Sequence, residues 1–200
     1  EVVISFSDGK KKSYVQGISL EEIAESISPS LKKKSVAGKV NGSLCDMSYS
    51  IHEDSEIELY DLNSSVGVEV MRHTTAHVLA QAVKRVFRDV HLGTGPVIEN
   101  GFYYDFDLKN TLTHHELKKI EKEMIKIVSE NIEIQRVEIS CEEAKKIFAD
   151  DPLKLELLED IPLDDVVTVY RQGEFVDLCR GPHLPSTRFI KAFKLTHVSG

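Results

Sequence analysis

Two short pairs of residues carry the chemistry of this sequence: His73-x-x-x-His77 within Arg72-His-Thr-Thr-Ala-His77, and Cys179-x-x-x-His183 within Asp177-Leu-Cys-Arg-Gly-Pro-His183. Residues four apart on a helix share a face, so the first pair points two imidazoles into one volume. The second pair flanks Gly181-Pro182, where a tight turn can bring a thiol and an imidazole together. If the pairs meet, they line one cleft, either a metal site or a site for acid–base chemistry on a bound substrate. These are donor atoms that tetrahedral zinc takes. The helical metalloprotease pattern is not met, because Thr74 follows His73 where that pattern has its glutamate base. Without metal, the imidazoles can orient a water and a substrate hydroxyl. Spacing alone leaves both readings open.

Neighbouring residues add to either reading. Lys154, in Asp151-Pro-Leu-Lys-Leu-Glu156, interrupts an apolar stretch; near a cleft it would stabilise developing negative charge, although periodicity alone reads it as a surface lysine. Asp177 stands two residues before Cys179, so on a strand both share a face, and its carboxylate can orient an imidazole or meet an ammonium group. Tyr103-Tyr104 would put one phenol on each face of a strand, with one in reach of the cleft.

The elements that must hold these residues fall into two modules. Residues 1–61 read as β-β-α-β-β-β, the order of a ubiquitin-like β-grasp. Ser7-Asp-Gly9 turns a first hairpin, Asn41-Gly42 turns a second, and Ser19-Leu-Glu-Glu22 is a capping box opening a helix through Ile27. Residues 62–67 form a polar linker rich in turn formers. The second module, residues 68–200, opens with a helix to about Phe87. Met71, Thr75, Val78, Leu79, Ala82 and Val86 lie on one stripe of it, and His73, His77, Gln81 and Lys84 on the opposite one. A hairpin is expected from Val97-Ile98 and Gly101–Asp107. A long amphipathic helix capped by Thr113 should follow to about Asn131, with His114 and His115 solvated in its first turn. A strand over 132–139, a helix capped by Ser140, and a hairpin across Gln172-Gly173 complete it. The fold class is α+β, with a mainly antiparallel sheet in the second module.

Composition narrows the function. The formal net charge of −8 argues against a chain built to track a nucleic-acid backbone, but leaves room for local contact. Lys10-Lys11-Lys12 and Lys32-Lys33-Lys34 are candidate patches, although such runs are usually just solvated. Three widely spaced cysteines suit a reducing, cytoplasmic setting with free thiols. No run is apolar enough to cross a membrane, and no signal peptide is legible at the N-terminus.

Longer strings carry a specific resemblance. Residues 1–61, with Asp8-Gly9, Ser26-Ile-Ser-Pro29 and Ala37-Gly-Lys-Val-Asn-Gly42, resemble the TGS domain of threonyl-tRNA synthetases. Arg72–His77, Gly95-Pro-Val-Ile-Glu-Asn-Gly-Phe-Tyr-Tyr-Asp105 and Asp177–His183 resemble the editing domain that follows it. The resemblance implies hydrolysis of serine mischarged onto threonine tRNA. Serine lacks one methyl of threonine, which discriminates by only about 1–3 kcal/mol, so a second sieve is needed.

It makes His73, His77, Cys179 and His183 the editing-cleft positions, with Lys154 and Asp177 beside them; the candidate catalytic residues are then His73, His77, Lys154, Cys179 and His183, and the candidate substrate-binding residues Asp177, Tyr104 and Arg180. His73 and Lys154 would position and polarise the attacking water. Asp177 would meet the amino or hydroxyl group of serine, and His77, Cys179 and His183 would shape the pocket. It implies no cofactor for editing. Zinc is not expected, although the related alanyl-tRNA editing family binds zinc through a similar pattern, and His73, His77, Cys179 and His183 would be the ligands here. The expected partners are the acceptor end of threonine tRNA carrying serine and the rest of the synthetase chain. The family's aminoacylation core does not follow in this sequence, so threonine activation is not expected of it, and a monomer is. The lysine patches and the helix at 113–131 are candidate tRNA contacts, with steep salt dependence. The alternatives are a tRNA-docking module and a zinc-binding structural module, each with an inactive cleft.

Overall fold

Strand β1 (Val2–Phe6) turns through Asp8 and Gly9 into β2 (Lys11–Tyr14); Gly9 takes a φ of +84°, the left-handed region that lacks a penalty only for glycine. The computed structural model describes residues 1–109 and 111–199; Asn110 and Gly200, the last residue of the expected second module, lie outside the described residues. After a short β3 (Ile18–Ser19), helix α1 (Leu20–Ile27) starts at the Ser19 capping box, with both reciprocal hydrogen bonds formed. Helix α2 (Pro29–Lys34) is capped by Ser28. Strands β4 (Ala37–Val40) and β5 (Ser43–Cys45) pair across Asn41 and Gly42, whose φ values of +49° and +82° are those of the tight turn expected there. Strands β6 (Ser50–Ile51) and β7 (Ser55–Tyr60) follow.

The main sheet has the order β2-β1-β7-β4-β5, with β1 and β7 parallel and the other neighbours antiparallel. Helix α1 covers one face with Leu20, Ile23 and Ala24, which close on Ile4, Ile51 and Ile57. At Gly38 the helix comes so close that a Cβ would lie 2.8 Å from Leu20 Cδ1. This is the β-grasp-like arrangement expected from the order of elements.

Helix α3 (Ser65–Val86) begins earlier than the periodicity predicts. Ser64 sets the start: its hydroxyl accepts from Gly67 N at 3.0 Å and its carbonyl from Val68 N at 3.0 Å. Contacts divide the chain into Glu1–Met71 with Gly181–Pro185, and Arg72–Arg180 with Ser186 onward, so their boundary lies within α3.

In the second unit, β8 (Val90–Leu92) is followed by β9 (Val97–Ile98), β10 (Gly101–Phe102) and β11 (Phe106–Leu108). The single strand expected over Gly101–Asp107 is broken: β10 pairs with β9 and β11 with β8. Asp105 causes the break, exchanging backbone hydrogen bonds with Gly93 and Thr94 (2.8 and 2.9 Å). Helix α4 (His114–Ser129) starts at the Thr113 capping box. Strand β12 (Ile134–Ser140) leads into α5 (Cys141–Ile147), also opened by a capping box, and then α6 (Pro152–Leu157). Strands β13 (Val166–Gln172) and β14 (Phe175–Leu178) complete an antiparallel sheet of order β12-β13-β14, and a short 3-10 turn spans Thr187–Phe189. Its core packs Cys141, Ala144, Phe148 and Leu158 against Val167 and Val169. Among the described residues no helix is long and apolar enough to cross a membrane.

Candidate functional site

Helix α3 carries every fourth residue of one stripe to a successive station along β14 and the turn before it. His73 Nε2 lies 3.3 Å from Cys179 Sγ. His77 Nε2 lies 3.5 Å from Asp177 Oδ2, and its ring meets Phe175 edge-on at 5.9 Å. Gln81 donates to Glu174 at 3.0 Å and to the Gln172 carbonyl at 3.2 Å, while Gln172 Nε2 donates back to Gln81 Oε1 at 2.7 Å. Arg85 closes the stripe, binding Glu174 at 2.6 Å and Glu130 at 2.7 Å. The sequence places Lys84 at the end of this stripe; in the structure Lys84 is exposed and Arg85 takes the role. His77 and Gln81 are 4% and 1% exposed, so the stripe opposite the apolar one is buried too. Its partners are polar groups of the β13–β14 hairpin and the residue after it, which a reading based on hydropathy cannot register.

Below the imidazoles lies a buried charged group. Lys154, which periodicity alone reads as a surface residue, is 2% exposed on α6. Its ammonium ion-pairs with Asp177 Oδ1 at 2.6 Å and donates to the Gly93 carbonyl at 2.8 Å and the Tyr104 hydroxyl at 3.3 Å. Tyr104 in turn donates to Asp177 Oδ2 at 2.6 Å. The ammonium thus has two hydrogen-bond acceptors and an opposite charge beside it, the pairing that a buried charge requires. Tyr103 is 45% exposed, so one phenol enters the site and the other does not, although the segment is not a strand.

Electrostatics follow from burial. Desolvation lowers the His77 pKa to about 4 despite the opposing pull of Asp177, with His73 and Lys154 pushing the same way as burial. His77 is thus neutral near pH 7. Burial first, then the charge of Asp177, holds the Tyr104 phenol far above its ordinary value, so it stays a donor.

The structure thus brings together His73, His77, Lys154, Asp177, Cys179 and Tyr104. Arg180 is exposed and has no ion pair among the described residues. His183 is grouped by contacts with the first unit, where its backbone N–H donates to Asp46 Oδ1 at 2.9 Å. Sequence reasoning missed Gly93 and Gly95. Gly93 supplies the carbonyl that holds Lys154. At Gly95 a Cβ would lie 2.3 Å from the Tyr104 ring, so only glycine lets that ring lie against the backbone. Two glycines two residues apart, just before Pro96, were the available signal.

The ligand atoms of His73, His77 and Cys179 lie within 4.8 Å of one another. These donor types fit zinc, and the 3.3 Å between His73 Nε2 and Cys179 Sγ is close to the edge, about 3.5 Å, of a tetrahedron with ordinary zinc bonds.

Residues 2–61 match the TGS domain family. Residues 167–200 match the family described as "Threonyl and Alanyl tRNA synthetase second additional domain". Threonine–tRNA ligase 2 of Bacillus subtilis (strain 168) is 57% identical over 201 residues, covering 100% of this chain and 32% of the relative. The threonine–tRNA ligase of Bacillus velezensis is 54% identical over 98% of the chain and 31% of its own length. That of Staphylococcus saprophyticus is 51% identical over 100% and 31%. The chain spans about a third of the length of these curated relatives. By these matches the chain is similar along its whole length to a TGS and second-additional-domain region of threonine–tRNA ligases.

Proposed function

We propose that this chain is the editing part of a threonine–tRNA ligase, hydrolysing the ester that joins serine to threonine tRNA. In this reading residues 1–61 are the TGS domain, 62–67 the join and 68–200 the editing domain. The observation that carries the reading is the Lys154–Asp177–Tyr104 group, buried directly beneath His77 and beside His73 and Cys179.

A water oxygen attacks the ester carbonyl carbon and gives its proton to an imidazole. The bond to the ribose oxygen then breaks, that oxygen takes up a proton, and free serine and uncharged tRNA leave. His73, half-buried, is the imidazole placed to orient and deprotonate the water. Neutral His77 offers a hydrogen-bonding nitrogen rather than a second positive charge. Because Lys154 is buried and held by Asp177, Gly93 and Tyr104, it acts by fixing Asp177 and by its field on the oxyanion, not by touching the water. Asp177 uses its remaining lone pairs for the ammonium or hydroxyl group of serine. Tyr104 orients that carboxylate, and exposed Arg180 meets the polar end of the tRNA. Cys179 shapes the pocket: the aminoacyl ester is already activated, and a thioester would still require water. His183, four residues further on, is the remaining position that the family resemblance assigns.

Catalysis is proposed to need no metal. A zinc ion held by His73, His77 and Cys179 would instead supply an acidified water, a second reading favoured by the donor set alone. Stoichiometric zinc in the purified protein, with hydrolysis lost on chelation, would establish that second reading. The setting is proposed to be cytoplasmic, with threonine tRNA and the remainder of the synthetase as partners.

The test is the deacylation rate of seryl- and threonyl-tRNA made on threonine tRNA. The serine ester should be lost quickly and the threonine ester retained, with His73→Ala slowing the former by about 10²-fold or more. Hydrolysis of neither ester would contradict the reading.

A further inference from the structure

The charges of α4 are sorted by face. At 3.6 residues per turn, His115, Lys118, Lys119, Lys122 and Lys126 fall within an arc of about 100°, opposite the buried stripe of Ile120, Met124 and Ile127. Acids occupy the two borders, and each is engaged within the unit. Glu121 holds Lys194 at 2.7 Å and accepts from the Leu195 N–H at 2.9 Å. Glu123 is bound by Arg85 at 3.2 Å and by Lys126 at 2.9 Å, and Glu130 is bound by Arg85 at 2.7 Å. Glu116 is used in the capping box, accepting from Thr113 N at 2.7 Å. Lys118, Lys119 and Lys122 are exposed and make no ion pair among the described residues. In a chain of net charge −8, the acids of α4 are thus engaged by Arg85, Lys194, Lys126 and backbone N–H groups, while Lys118, Lys119 and Lys122 face water.

We propose that this face of α4, centred on Lys118, Lys119 and Lys122, is a docking surface for the phosphate backbone of an RNA stem. The inference rests on the editing reading, because the ester must be carried to the site by a nucleic acid. Lys118 to Lys126 spans about 12 Å of helix, enough to follow several phosphates of one strand. This face is mostly lysine, with His115 as a stacking side chain only at its N-terminal end, so a duplex backbone rather than a run of unpaired bases is the matching occupant. The other lysine runs are weaker candidates: Lys10 is bound by Asp8 at 2.9 Å, and Lys32 by Glu25 at 2.8 Å and Glu21 at 3.5 Å.

The probes are uncharged threonine tRNA and a hairpin of its acceptor stem, bound to the 200-residue chain across about 50–200 mM salt. Replacing Lys118, Lys119 and Lys122 together by Gln should reduce the slope of log affinity against log salt by about 2–3. The matched replacement of Lys32, Lys33 and Lys34 should leave it almost unchanged. An unchanged slope in the α4 variant, or failure of the unsubstituted chain to bind the stem, would overturn the surface. Absence of hydrolysis even in the unsubstituted chain would strike the editing reading while leaving the slope comparison to stand or fall alone.

Discussion

In the first unit the buried positions are closed by Ile4, Leu20, Ile23 and Ile57, and ion pairs such as Lys10–Asp8 and Lys32–Glu25 stay at the surface. In the second, Lys154, Asp177 and His77 are 2%, 2% and 4% exposed, and Tyr104 is only 7% exposed. An apolar core stabilises in proportion to the area it removes from water. A buried ion pair does not, because desolvation offsets most of its attraction, and apolar residues of similar volume would often hold the fold as well or better. The second unit therefore keeps a group that stability alone does not call for. Local rules that fail at one place and hold elsewhere point to function there.

The largest expected effect comes from halving the buried pair. Lys154→Met leaves Asp177 charged and enclosed, and should destabilise the second unit by about 3–5 kcal/mol in urea unfolding. Lys32→Met, at the exposed pair of the first unit, should leave the urea midpoint almost unchanged. Comparable losses at the two positions would erase the contrast.

Acid should separate the units next. His77 has a folded pKa of about 4 against an ordinary value of 6.5. Between these values the unfolded chain binds the proton more readily, so stability falls as pH falls through that window. Its full extent is about 3 kcal/mol, with no contribution from this group above pH 6.5. Most of the loss should be visible by pH 4.5, before carboxylates with lowered pKa values such as Glu174 begin to protonate. His77→Gln should flatten the dependence; a slope unchanged by the substitution would place its origin elsewhere.

Two glycines refine the comparison at smaller scale. Gly95→Ala must displace the Tyr104 ring, and with it the hydrogen bond to Asp177. It should cost about 1–3 kcal/mol by overpacking and also reduce hydrolysis. Gly42→Ala meets nothing within 4 Å but sits at φ +82°, so backbone strain alone should cost about 1 kcal/mol, with hydrolysis intact. Equal loss of activity in both variants would show that Gly95 has no special part in placing Tyr104.

Local signals in the sequence translated well into structure. The capping boxes at Ser19, Thr113 and Ser140 form both of their hydrogen bonds, and Asn41-Gly42 turns its hairpin as the dipeptide demands. What sequence periodicity missed depends on partners distant along the chain. Lys154 is buried because Asp177 waits 23 positions away on β14. The polar stripe of α3 is buried because β14 and the residues flanking it answer with Cys179, Asp177 and Glu174. The strand through Tyr104 is broken by backbone bonds to Gly93 and Thr94, which no alternation of side chains encodes. The site residues are legible in paired motifs and family resemblance, whereas the carbonyl of Gly93 and the space at Gly95 depend on how the chain folds around Lys154 and Tyr104.

The central claim is that the buried Lys154–Asp177 pair exists for hydrolysis and not for the fold. Its most direct test is the double variant Lys154→Met with Asp177→Leu, measured for urea stability and for seryl-tRNA deacylation. Stability equal to or up to about 4 kcal/mol above that of the unsubstituted protein, with hydrolysis of the serine ester abolished, is the predicted result. Retained hydrolysis, or a double variant as unstable as Lys154→Met alone, would contradict it.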